Sequence, residues 1–408
     1  MITLVLPWFG PESAGGAESQ ARDLARALHA LGVPVRVWAS TGRDALQPGL
    51  PGMPYGTSPH YPPGHSRVDG LPVWRFRPTP ADAQGVPRLL RLRPQLCPDL
   101  SQFAPHELRL LASLLGSDEL YAAILAARHD EANCFVFLPY PFPTTFWGTL
   151  LAPERSYLLA CLHDEPYARY STYRFMFNHA RGVVANSHPE AALAQQLYAL
   201  PAAKIVVPGE GIDLTACGNA SRLRQAYNLD QRPLLLYAGR RDASKNLPLL
   251  LAYVREYVAR RGTPLRLALM GAGELSMAAA GYSAGLADLV LDLGFVDAQT
   301  KHDAYAAADI FVQPSLHESF SIVLMEAWLQ GTPALVHGDC AVTADHARRS
   351  GGGLAWRNFG EFAAALDLLL TRPDLRQTLG QRGRDYVLAT CDWTMVARQT
   401  AAFVMGEA

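Results

Sequence analysis

Short apolar runs alternate with longer amphipathic stretches along most of the chain, and glycine, proline or serine marks most changes of period. Residues 2–7 predict a buried strand, a Gly/Pro/Ser loop over 8–16 opens a helix over 17–31 that Gly32 stops, and 33–39 resumes as a strand. Strand, glycine loop, helix, strand is how a parallel doubly wound sheet begins. From 40 to about 100 the chain turns rich in proline and glycine, with one strand-like piece at 71–76, and reads as an irregular insertion with long loops. Helix returns over 101–128 with a break near Gly116 and Ser117. Strands at 134–138, 156–162, 182–185 and 205–207 then alternate with helices at 144–151, 167–180 and 187–198.

The glycine-flanked junction from Pro208 to Asp213 predicts a domain boundary, and a second alternating series follows it. Strands at 234–238, 265–270 and 290–293 each deliver a loop and feed a helix, at 247–260, after Gly273 and at 298–308. The segment 309–328 is a strand that breaks at Pro314 into a polar loop and then a helix. A strand at 334–336, the turn Gly351-Gly352-Gly353 and helices at 359–370, 375–389 and 393–405 complete the chain. The pattern therefore predicts an α/β protein of two doubly wound, Rossmann-like parallel-sheet domains, 1–208 and 209–390, with 391–408 closing the chain as a helix.

A length of 408 residues suits two domains of about 200 residues each. The formal charge of -1 is spread evenly: residues 1–210 hold 17 basic and 17 acidic side chains, leaving 36 − 17 = 19 and 37 − 17 = 20 for the rest. Neither half has the basic field of a nucleic-acid binder. Six cysteines, scattered singly, exclude a CxxC zinc site and fit a reducing, cytoplasmic setting. The run at 2–6 lacks a basic flank and is too short for a signal peptide, and no apolar run is long enough to span a membrane. Arg75, Arg77, Arg88, Arg91 and Arg93 leave an anionic acceptor or peripheral membrane contact open, against the ordinary reading of a solvated face diluted by Asp69 and Asp82. Only three of the 36 basic residues are lysine, Lys204, Lys245 and Lys301, so a lysine in a loop is a pointed choice where phosphate is bound.

Four places carry candidate chemistry. Glu318 ends the loop after one strand and Glu326 lies two turns into an almost wholly apolar helix, where a carboxylate requires a partner. Arg240 and Lys245 follow the strand at 234–238, with Ser244 available to cap the next helix, and two cations beside a helix start can neutralise a diphosphate. Gly15 and Gly16 allow a ligand to approach the backbone at a helix mouth, against an even chance of being a bare cap. His163 ends the strand at 156–162, beside Asp164 and Glu165 that can orient its ring, although such a histidine is more often structural. The sequence has no DxD among its 22 aspartates, no P-loop, no HExxH and no GxSxG.

As a set, Gly239-Arg240-x4-Lys245, Gln313-Pro-Ser, Glu318-Ser-Phe with Glu326-Ala (E-x7-E), Gly294-Phe-Val and Gly331-Thr-Pro resemble the GT-B retaining glycosyltransferases of family 4. The resemblance covers nearly all of the second domain; in the first, Gly15-Gly16 and Leu162-His-Asp match and 40–100 does not. It implies two domains facing a cleft, the helix in 391–408 packing back on the first, and metal-independent transfer, with retention, from a nucleotide-diphosphate sugar to a glycan, lipid-linked or small-molecule acceptor, with no metal and no other cofactor. By the same resemblance Arg240 and Lys245 hold the diphosphate, with Gly239 in the same loop, Glu326 the ribose and Glu318 the sugar. The backbone at Ser319, Phe320 and Ser321 lies near the phosphates, Phe295 and Val296 near the base, His163 near the reacting carbon, and Gly15-Gly16 over the phosphates. Ser321 stands where that family commonly has glycine. Alternatives of the same fold are a sugar-nucleotide epimerase and a catalytically silent sugar-nucleotide binder.

Overall fold

The computed structural model describes residues 1–13, 15–50, 52–80, 85–241, 243–273 and 289–406. The chain divides into two compact units, Met1–Gly211 with the chain's end from Trp393, and Ile212–Asp392.

Among the described residues the first unit holds strands β1 (Ile2–Val5), β2 (Val35–Ser40), β3 (Gly64–Val68), β4 (Leu71–Phe76), β5 (Cys134–Phe137), β6 (Ser156–Leu159), β7 (Gly182–Val184) and β8 (Ile205–Val206). They lie in the order β3-β4-β2-β1-β5-β6-β7-β8, all parallel except the β3–β4 hairpin. Along β1, Ile2 and Leu4 join one apolar layer and Val5 the other, so the sheet is covered on both faces as its alternation requires. The helix Trp393–Met405 buries Val396, Ala397 and Val404 against the helix Gly16–Ala30, β1 and β8.

The strand expected at 71–76 is β4 and the described residues between β2 and β3 form no helix or strand, but 40–100 is less irregular than expected. β4 extends the parallel sheet beside β2, and β3 pairs with it; β3 reads Gly-His-Ser-Arg-Val, too polar for an apolar pattern to show. The break expected near Gly116 and Ser117 divides the helical stretch over 101–128 into Pro105–Ala112 and Asp118–Ala127, the second capped by Ser117. β6 ends at Leu159 rather than 162, leaving His163 four residues beyond it.

The second unit holds β9 (Leu234–Ala238), β10 (Arg266–Met270), β11 (Val290–Gly294), β12 (Ile310–Gln313), β13 (Ala334–His337) and β14 (Gly353–Trp356), in the all-parallel order β11-β10-β9-β12-β13-β14. The direction of winding reverses between β9 and β12, which makes the crevice beyond their carboxyl ends the ligand-binding position of this topology. Ile310 and Val312 of β12 face one layer and Phe311 the other. The helix expected after Gly273 lies outside the described residues. No described helix is long and apolar enough to cross a membrane.

Candidate active site

Three loops at the carboxyl edge of the second sheet are stitched by backbone hydrogen bonds. The Gly239 N–H donates to Met270 O (3.0 Å), Gly271 N–H to Gly294 O (2.8 Å) and Arg241 N–H to Ala272 O (2.8 Å). Gly271 sits at φ 130°, and a Cβ there would lie 2.0 Å from Gly239 O. Its glycine is therefore fixed by loop packing as well as by any ligand.

Lys245 ends a short 3-10 turn after β9, and its Nζ lies 2.7 Å from Oε1 of Glu318 in the loop after β12. Glu318 Oε1 also accepts from Gln313 Nε2 at 2.9 Å. The diphosphate and sugar candidates thus pair with each other. Arg240 is exposed, while its neighbour Arg241 is buried in a two-armed ion pair with Asp292 that holds the Asp292 carboxyl below its ordinary range. Ser244 is not the cap expected: the helix Leu247–Arg261 starts from Asn246, in the left-handed region at φ 57°, whose amide donates to Pro314 O (3.1 Å). The helix Ile322–Leu329 starts from Ser321 at φ 79°, ψ 71°. Neither helix start has a side-chain cap, so both leave backbone N–H groups for an anion.

Glu326 is buried, and the partner it requires is protein: Lys301 forms an ion pair with Oε1 and the Tyr305 hydroxyl donates to Oε2 at 3.0 Å. Sequence reasoning missed Lys301 and Tyr305. The scarcity of lysine was the signal for the first, and its position in the helix Ala298–Ala307 hid it. Ser319 is half-buried, whereas the Phe320 ring lies in the core edge-on to His346 at 5.1 Å, leaving only its backbone for a ligand. Phe295 is 83% exposed and Val296 packs partly against the core.

In the first unit, Gly15 caps the helix Gly16–Ala30 with φ 153° and ψ 156°, and the space a Gly16 Cβ would enter is open. A Cβ on Gly15 would meet the Glu18 carboxylate, whose pKa burial pushes up to about 7. His163 is half-buried with Nδ1 3.7 Å from Glu165 Oε1, while Asp164 pairs with Arg169 at 2.6 Å, so Glu165 is the neighbour that faces the ring. Beneath it, the fully buried Glu190 accepts the Leu162 N–H at 2.6 Å and the Asn186 N–H, fixing the backbone that carries His163. A cavity of about 560 Å³ near the amino ends of β6 to β8, lined by Tyr157, Arg181, Lys204 and Phe403 among others, contains none of these residues.

Residues 219–386 match the family described as Glycosyl transferases group 1, and residues 14–216 match Glycosyltransferase Family 4. The second unit is thus similar to the group 1 glycosyltransferases and the first to a family 4-type glycosyltransferase unit. It is 31% identical over 253 residues to D-inositol 3-phosphate glycosyltransferase 2 of Catenulispora acidiphila, covering 58% of each chain. It is 29% identical to D-inositol 3-phosphate glycosyltransferase of Gordonia bronchialis over 58% of this chain and 55% of that one. The chain thus spans less than two thirds of these relatives. Among solved structures, sucrose-phosphate synthase from Thermosynechococcus elongatus superposes with a TM-score of 0.70 at 19% identity over 98% of this chain and 97% of that one. HepE from Anabaena, in complex with UDP, gives 0.70 at 16% identity over 100% of both. The shared fold is GT-B.

Proposed function

We propose that the chain is a retaining, metal-independent glycosyltransferase that moves a sugar from a nucleoside-diphosphate sugar to an acceptor hydroxyl. The observation that carries this reading is the meeting of Lys245 and Glu318 beyond β9 and β12, where the winding reverses, between two helix starts without side-chain caps. In transfer, the bond from the sugar's anomeric carbon to the diphosphate breaks and the bond to the acceptor oxygen forms on the same face. The acceptor's proton passes to the departing diphosphate. Lys245, Arg240 and the backbone N–H groups supply the positive charge that stabilises the leaving group. A phosphate drawn to Lys245 competes with Glu318 for the ammonium and frees that carboxylate for sugar hydroxyls. Glu326, held by Lys301 and Tyr305, presents an oriented acceptor to the ribose. His163 acts on the donor sugar by placement and charge.

The Catenulispora and Gordonia relatives are D-inositol 3-phosphate glycosyltransferases, and HepE holds UDP. These likenesses suggest a UDP-sugar donor and a phosphorylated cyclitol acceptor for this chain. The test is thermal stabilisation by UDP, GDP and ADP and their hexose conjugates, followed by transfer to D-inositol 3-phosphate with the product's anomeric configuration read by NMR, with and without EDTA. Stabilisation by none of the nucleotides overturns the donor site. An inverted product, or activity lost in EDTA, overturns the mechanism.

A further inference from the structure

Gln313 is the last residue of β12 and follows Ile310, Phe311 and Val312, all fully buried. It is itself only 2% exposed, and its carbonyl Oε1 is buried without a hydrogen-bond partner among the described residues. Packing alone favours an apolar side chain there, because an unpaired buried carbonyl is destabilising. The amide is oriented by what it faces: Nε2 donates to Glu318 Oε1 at 2.9 Å and reaches Ser321 Oγ at 3.5 Å. Turning the amide over would set its carbonyl against the carboxylate.

Lys245 and Gln313 therefore both donate to one oxygen of Glu318. Oε2 accepts from no described residue and is not among the buried, unsatisfied atoms. Ser321 is 5% exposed and holds a left-handed conformation that glycine adopts more easily, with its hydroxyl oxygen next to the same amide.

We propose that Gln313 is a positioning residue for the donor sugar: by engaging Glu318 Oε1 it turns Oε2 to the ligand, and with Ser321 it limits which sugar hydroxyl that oxygen reaches. The assignment rests on the donor-site reading above. It predicts that nucleotide affinity and sugar affinity separate on mutation, since the amide touches neither Lys301, Tyr305 nor Glu326.

The experiment is calorimetric titration of wild type, Gln313→Met and Ser321→Gly with UDP, GDP and ADP and with UDP-glucose, GDP-mannose and ADP-glucose, alongside slow donor hydrolysis. Gln313→Met keeps nucleoside-diphosphate affinity within about two-fold and loses about ten-fold in sugar-nucleotide affinity, with slow hydrolysis falling alongside. Ser321→Gly changes the ranking of the sugar conjugates relative to wild type. Gln313→Glu sets a second carboxyl beside Glu318, the two share a proton, and hydrolysis falls with rising pH where wild type does not. Equal loss of both affinities in Gln313→Met reduces the residue to a loop support and overturns the proposal, as does an unchanged sugar affinity. A wild type that binds none of the nucleotides overturns the donor-site reading instead.

Discussion

Nζ of Lys245 and Oε1 of Glu318, 73 residues apart in sequence, lie 2.7 Å apart. The side chains are 21% and 11% exposed, so the pair is partly shielded from water. Even so, such a pair contributes about 1 kcal/mol or less to stability. Lys245→Ala is therefore expected to unfold in urea nearly as wild type does while donor turnover drops by about 100-fold through loss of leaving-group stabilisation. Turnover near wild type in this variant removes Lys245 from the site.

Ser321 begins the helix Ile322–Leu329 at φ 79°, in a conformation that costs a non-glycine residue about 1 kcal/mol. Ser321→Gly is expected to raise the urea midpoint, corresponding to a gain of up to about 1 kcal/mol at unchanged m-value. A lower midpoint shows that the Gln313 contact outweighs the backbone strain.

The parallel sheets were legible from their apolar runs: β9, Leu-Leu-Leu-Tyr-Ala, and β12, Ile-Phe-Val-Gln, stand where the pattern puts them. The placement of the loops with the candidate residues was legible for the same reason, since a doubly wound sheet delivers its carboxyl ends to one edge. What escaped depends on contacts between distant residues. Lys301 and Tyr305 are ordinary helix residues until the fold sets them against Glu326, and Gln313 reads as a strand end until Glu318 turns back over it. β3 escaped because a polar hairpin arm at a sheet edge needs no apolar face.

Glu326 poses a sharper question, because the carboxylate proposed for the ribose already has two protein partners. Lys301→Met leaves it with Tyr305 alone, and since the lysine side chain is 34% exposed the expected loss is about 1–2 kcal/mol, below that of a fully buried pair. Adding Glu326→Gln removes the buried charge and restores most of that stability, which a double-mutant cycle in urea measures. If Glu326 also holds the ribose, Glu326→Gln alone raises the donor KM with little change in kcat. Full stability rescue with an unchanged KM assigns the triad to the fold alone.

Glu190 makes pH a probe of the backbone beneath His163. Burial pushes its pKa from 4.5 up to about 7, against the hydrogen bonds from the Leu162 and Asn186 N–H groups and the nearby His163, which pull it down. Cys161 lies close on one side and Ser187, whose hydroxyl accepts the Glu190 N–H, on the other. Because the folded-state pKa is the higher one, the folded chain binds more protons between these values, and stability falls as pH rises through that window. The contribution is complete below about pH 4.5 and lost above about 7, on the order of 3 kcal/mol in all. Other carboxyls add slopes of their own, so the quantity to measure is the difference in unfolding free energy between wild type and Glu190→Gln. That difference is expected to shrink steadily from pH 5 to pH 8, and a difference that stays flat or grows over this range shows that Glu190 is already ionised at pH 5.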